Sequence, residues 1–179
     1  MKPTKQRSLI GWLRLGWLAT LGSLLSLGMA CVSAAQAEPV PRYLAAHLAQ
    51  PNLVGQGSFR WFGFRVYEAR LWAPRSRLDE HGTLGTQVPA AGPIALTLRY
   101  ARSISGTSIA DTSAREMLRL GASAQRVESV WLPEMKKLFP DVSESDTITG
   151  LIDSQRATHF YFNGKSVGMI SDPDFGPAF

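Results

Sequence analysis

Hydrophobic and polar positions alternate most cleanly from Ile94 to Arg102, with Ile94, Leu96, Leu98 and Tyr100 on one side and Thr97 and Arg99 on the other. Such alternation predicts a strand with one buried face. Upstream, Phe59 to Trp72 is dense in aromatic and branched residues and is interrupted at Gly63, which predicts one long strand or a hairpin bent tightly there. From Gly63 on, Arg65, Tyr67, Ala69 and Leu71 would share one side, and Phe64, Val66, Glu68, Arg70 and Trp72 the other. Neither side is purely apolar, which fits a sheet with charged groups near a cleft or rim. The preceding Leu53-Val54-Gly55-Gln56-Gly57 predicts a bend or bulge where the strand starts.

The apolar period then lengthens. Ser108 followed by Asp111 resembles a helix-start box, and Ile109, Ser113, Met117 and Leu120 recur at helical spacing before Gly121 supplies a stop. A second helix is expected from Ser123, with Val127, Val130, Trp131, Met135 and Leu138 as its apolar stripe and Pro133 kinking or splitting it. Phe139-Pro140-Asp141 ends it, and Val142 to Asp146 is an acidic turn. Thr147 to Asp153, Ala157 to Phe162 and Lys165 to Ile170 predict strands, the last two joined by a two-residue Asn163-Gly164 turn. A short helix is expected around Tyr43 to Leu48, ended by Pro51, and Pro74 to Pro93 is a polar surface connection. Strands and helices together predict an α+β domain.

The N-terminus changes the picture of charge. Lys2, Lys5 and Arg7, an apolar run from Leu15 to Val32, and Ala35-Gln36-Ala37 follow the basic, apolar, small-residue order of a secretory signal, so cleavage after Ala37 and a periplasmic location are expected. The alternatives are an uncleaved anchor with Trp12, Arg14 and Trp17 at the membrane interface, or a lipid on Cys31. The second lacks the usual leucine at the position of Gly28. The expected organisation is a signal over 1–37, a leader over 38–52 and a domain over 53–179. Lys2, Lys5, Arg7 and Arg14 leave with the signal, so the net charge of +5 falls to about +1 and a nucleic-acid partner is not expected. Membrane association is expected only if the signal stays uncleaved. Cys31 is the one cysteine, which excludes disulfides and thiolate metal sites from the mature chain.

Candidate chemistry is sparse. His47, His81 and His159 are scattered, there is no Gly-x-Ser-x-Gly elbow, and a hydrogen-bonded strand residue is the expectation for His159. Asp141, Glu144 and Asp146 lack the spacing of a calcium loop and are expected in a solvated turn. The serines from Ser103 to Ser108 have no P-loop lysine after them, so capping is expected. Asp172 and Asp174 are expected to complement a helix dipole. The least ordinary stretch is Phe59 to Trp72. Its arginines either pair with Glu68 and lie along aromatic faces, or form the wall of an apolar pocket that holds an acid headgroup.

Several segments together are similar to the exported bacterial chalcone-isomerase-like proteins: Leu53-Val54-Gly55-Gln56-Gly57, Gly63 to Ala73, Leu96 to Tyr100 with Ser105-Gly106, Leu138 to Val142, and Phe160 to Gly164 through Asp172-Pro173-Asp174-Phe175. The resemblance implies an open-faced β-sandwich, a large and mostly antiparallel sheet with helices packed on one side and a ligand cleft between the layers. In relatives the segment from Phe175 enters a further helix, so the domain is expected to lack its last helix. Plant enzymes of that superfamily use an arginine with a tyrosine, asparagine and threonine network. The threonine aligns near Tyr67, the tyrosine near Ile109, the asparagine near Glu116 or Met117, and the arginine with Arg60. An isoleucine cannot hydrogen-bond to a developing oxyanion, so no catalytic residue is expected. Non-enzymatic members bind fatty acids, which implies a non-catalytic envelope protein holding a fatty acid or similar amphiphile, with Arg60, Arg65, Tyr67 and Tyr100 at its headgroup. No cofactor or metal is expected. The alternatives are an isomerase-type enzyme of unknown substrate and a structural envelope protein.

Overall fold

Phe62 and Gly63 adopt positive φ (46° and 83°), the two-residue turn whose twist matches that of paired strands, and they fold the aromatic stretch into a hairpin. Its arms are β1 (Pro51–Trp61) and β2 (Phe64–Pro74). A second turn of the same kind, at Asn163 and Gly164 (φ 47° and 78°), joins β5 (Thr158–Phe162) to β6 (Lys165–Ile170). Between the hairpins lie β3 (Ile94–Tyr100) and β4 (Thr147–Ile152). All six strands form one antiparallel sheet in the order β1-β2-β3-β4-β5-β6. The expected bulge is present between Leu53 and Gly55.

The computed structural model describes residues 40–82, 84 and 92–179. The signal expected over 1–37 lies outside the described residues, as does part of the connection between Pro74 and Pro93. Glu38–Phe179 forms one compact unit. It therefore includes the stretch read as a leader, which supplies α1 (Arg42–Ala45) and the start of β1.

The helices enter between β3 and β4 as α2 (Gly106–Arg119), α3 (Ala124–Arg126), a π-helical turn (Val127–Trp131) and α4 (Leu132–Leu138). Helix α2 starts earlier than expected. Ser105, not Ser108, is the N-cap, its hydroxyl accepting the Ser108 amide at 3.2 Å. Asp141, read as part of a solvated turn, also accepts the Gly106 amide (2.8 Å). Gly106 presses so closely on the chain after α4 that a Cβ would stand 2.0 Å from the Phe139 carbonyl oxygen. Gly121 (φ 96°) stops the helix as expected. Pro133 does not interrupt the second helix but changes its winding: it has no amide to continue the α pattern, and just before it the Leu132 amide reaches five residues back to Val127.

Two apolar layers result, because alternate strand residues point to opposite faces. On one face Tyr100, Ile148, Phe160 and Ile170 meet Ala110, Ala114 and Met117 of α2 with Val127, Trp131 and Met135. Two stripe residues depart from the expectation: Leu120 and Val130 are exposed, since they point away from the sheet. On the other face α1 and the turn after it lay Leu44 and Leu48 against Trp72, Ala95, Leu151 and Tyr161. The main helices thus occupy one side of an open sheet, and β3 carries a second buried surface at Ala95 that alternation alone did not distinguish. Among the described residues no helix is long and apolar enough to cross a membrane.

Candidate functional site

The β2–β3 register sets Tyr67 opposite Tyr100, and their rings meet edge to face at 6.2 Å. Phe59, the β1 partner of Tyr67, stacks on it at 5.3 Å. Tyr100 is almost fully buried, and burial followed by the neighbouring Tyr67 raises its phenol well above the ordinary range. Burial, and after it the Glu116 carboxylate on α2, also raises the Tyr67 phenol. Both phenols therefore stay protonated and can donate a hydrogen bond at any physiological pH.

Arg60 and Arg65 are cross-strand partners at the neck of the hairpin, between the tyrosines and the turn. Both are exposed. Arg60 donates to the Gly63 carbonyl (3.2 Å), and Arg65 pairs with Glu68 through one guanidinium nitrogen. The fold thus gathers the four expected residues at one end of β1–β3, but a register shift between Phe59 and Arg60 turns Arg65 to the side of Glu68, not to the side of Tyr67 that alternation predicted.

Behind this end the helix-facing side of β1–β3 forms a shallow apolar floor. Ala69 and Leu71 of β2 stand between Leu98 and Leu96 of β3 and Gly57 and Gly55 of β1. None of these six is fully buried, whereas Ile148 and Phe160 on the same face of β4 and β5 are. A Cβ at Gly57 would meet nothing within 4 Å, so the floor is open above it. The other half of the space between the layers is filled: Phe160 packs against Phe139, Phe175 and Phe179 at 5.0, 6.0 and 5.7 Å. Phe175 and Phe179 belong to the short α5 (Phe175–Ala178) and its end. An apolar guest would have to lie on the β1–β3 half.

Two concavities open elsewhere. One of about 340 Å³ lies at the end of α2, between Met117, Leu120 and Pro177. The other, about 370 Å³, lies beside α1, lined by Tyr43, Arg70, Trp72, Thr97 and Asn163 among others. Its hydroxyls already satisfy one another, Tyr43 sharing a hydrogen bond with Thr149 (2.8 Å) and Thr149 with Thr97 (3.0 Å). Neither contains Arg60, Arg65, Tyr67 or Tyr100.

The histidines read as scattered are in part brought together. His47 shares a hydrogen bond with Tyr161 (3.0 Å), His159 donates to Asp153 (2.8 Å), and the two rings lie 5.0 Å apart. Burial alone would raise the Asp153 carboxyl, yet bonds from His159 and the Gln155 and Ala157 amides hold it below its ordinary value. His159 is thus the hydrogen-bonded strand residue expected, and together these contacts pin the turn after α1 to the sheet. His81 stays exposed beside Glu80.

Asp172 does more than complement a helix dipole. Arg126 donates to both of its carboxylate oxygens at 2.9 Å and also to Asp174, while the Trp131 indole donates to Asp172 at 2.8 Å. Burial opposes ionisation of Asp172, but the indole, the Asp174 amide and Arg126 together hold its carboxyl below the ordinary range. This network ties the end of the chain to the π-helical turn. Nothing in the spacing of Arg126 and Asp172 signalled it.

No family model and no curated protein matches the chain. Among solved structures, a fatty-acid binding protein of Arabidopsis thaliana is similar, with 14% identity and a TM-score of 0.55 over 72% of this chain and 77% of that one. The likeness is one of fold. Sequence reasoning missed Gly55 and Gly57 as floor residues; the only signal was two glycines in a strand facing small and apolar partners.

Proposed function

We propose that this chain, whose fold is shared with a fatty-acid binding protein, is a non-catalytic carrier or sensor of a fatty acid or similar amphiphile. The observation that carries the proposal is the arrangement at one end of β1–β3: two protonated phenols share a sheet face with an apolar floor, and exposed arginines stand at the rim beside them. A carboxylate at the rim can accept from Tyr67 while its tail lies over Gly57, Ala69 and Leu98, and the exposed guanidinium groups of Arg60 and Arg65 make that end of the sheet positive. Each buried methylene contributes about 0.8 kcal/mol, so the tail supplies most of the affinity and the headgroup sets direction. The basic, apolar, small-residue order of the N-terminus supports an exported, periplasmic setting for this activity.

Ile109 stands half-buried on α2 in the layer that Tyr67 joins, and its side chain can neither donate nor accept a hydrogen bond. That argues against an isomerase. The test is mass spectrometry of the purified domain for co-purifying lipid, followed by titration with fatty acids of increasing length. Saturable binding that tightens with chain length until the floor is full is expected. No saturable binding of any acid would discard the proposal and leave a structural role in the envelope as the better reading.

A further inference from the structure

At the tip of the β1–β2 hairpin, Trp61, Phe62 and Phe64 are 59, 86 and 70% exposed. Three large aromatics side by side in water are unusual for a surface turn. Phe62 is the most telling. It holds a positive φ of 46°, which a β-carbon disfavours and which asparagine or glycine adopts readily. The second hairpin of the same chain uses asparagine at that position, with nearly the same angle of 47°. Phe62 thus accepts backbone strain while its ring gains little from the fold beyond an edge contact with Trp61 at 5.4 Å. A strained, exposed ring is explained by something it meets outside the domain.

The charge around the tip indicates what that is. Arg60 and Arg65 bracket the four tip residues in sequence and face each other across the hairpin. The Ala101 amide bonds to the Val66 carbonyl (2.9 Å), which brings the end of β3, with exposed Arg99 and Arg102, alongside the neck. Glu68 is the one acidic residue among 56–68 and 99–102 and pairs with Arg65. An aromatic tip set in a collar of arginines matches the layered polarity of a lipid surface, with anionic headgroups outside and acyl chains within.

We propose that the β1–β2 hairpin tip docks the domain on anionic bilayers, inserting Trp61, Phe62 and Phe64 at the interface while Arg60 and Arg65 meet headgroup phosphates. Membrane contact then does not require the N-terminal segment. It does not rest on the ligand reading either, since vesicle binding and fatty-acid binding are separate readouts.

The test uses the compact unit from Glu38 on, so that the N-terminal apolar run cannot contribute, in co-sedimentation with vesicles of phosphatidylglycerol and phosphatidylcholine. Binding at low salt is expected, weakened at least tenfold by W61S/F62S/F64S and left unchanged by Leu120→Ser, an exposed apolar control on α2. R60Q/R65Q should remove the preference for anionic over purely zwitterionic vesicles. These tip residues are exposed, and an unchanged melting temperature checks that the fold survives. Absence of vesicle binding, equal binding to both vesicle types, or binding indifferent to the triple substitution would each overturn the proposal. So would self-association through the tip without vesicle binding, which would make a second copy the occupant.

Discussion

Gly57→Leu separates the use of the floor from the stability of the fold. Gly57 faces Ala69 on the edge strand, a Cβ there meets nothing within 4 Å, and its φ is not in the left-handed region. The leucine is therefore accommodated without a clash. Replacing a strand glycine should even stabilise the domain by about 0.5 to 1 kcal/mol, because glycine loses the most conformational freedom on folding. The added side chain occupies the space over Ala69 and Leu98 that an acyl tail would cover. Displacing about four methylenes removes ~3 kcal/mol at ~0.8 kcal/mol each, or more than a hundredfold in Kd. The assay is displacement of a fluorescent fatty acid across a series of chain lengths, alongside thermal melts. Long acids should lose most, acids too short to reach the floor little, and the melting temperature should hold or rise. Undiminished affinity for long acids in a folded variant would show that the tail lies elsewhere and refute the reasoning.

Further outcomes test other parts of the structure. Arg65→Ala should weaken fatty acids by about tenfold or less while sparing matched fatty alcohols, because a half-exposed cation is screened by water; equal loss for both would mean that the arginine acts by packing. Gly106→Ala should cost about 3 kcal/mol or more, roughly 10 °C in Tm, because its Cβ would meet backbone after α4 at 2.0 Å. Asp172 and Asp153 have lowered carboxyl pKa values, so their stabilisation is complete above the unfolded value near 4 and is lost as pH falls through the lower folded values. Melts taken between pH 6 and 2 should show that loss, and Asp172→Asn should flatten it. A chalcone incubated with the purified domain should cyclise at its spontaneous rate, as the lack of a hydrogen-bonding group at Ile109 implies; a clear acceleration would restore the isomerase reading.

Much of the fold was legible because its signals are local. Asn163-Gly164 announced the second hairpin, and Gly63 marked the bend that the structure resolves as the first, since few residues tolerate positive φ in succession. Alternation from Ile94 placed β3, and Gly121 placed the end of α2. The start of α2 was less legible, because Ser105 and Ser108 are both good caps. What selects Ser105 is the approach of Gly106 to Phe139 and the bond to Asp141, 35 residues away.

The candidate site divides in the same way. Residue types in the Phe59–Trp72 stretch marked Arg60, Arg65 and Tyr67 for attention, whereas the register that sets Tyr100 opposite Tyr67 is visible only in the paired strands. The sequence by itself determined most of the elements and their order, because period and turn chemistry depend on residues a few positions apart. Only the tertiary structure decided which half of the sheet the helices cover, that α1 closes part of the other face, that the phenylalanines fill one half of the interlayer space, and that Arg126 holds Asp172. Those outcomes depend on side chains distant in sequence competing for the same volume and the same hydrogen-bond partners, and no local pattern records which of them wins.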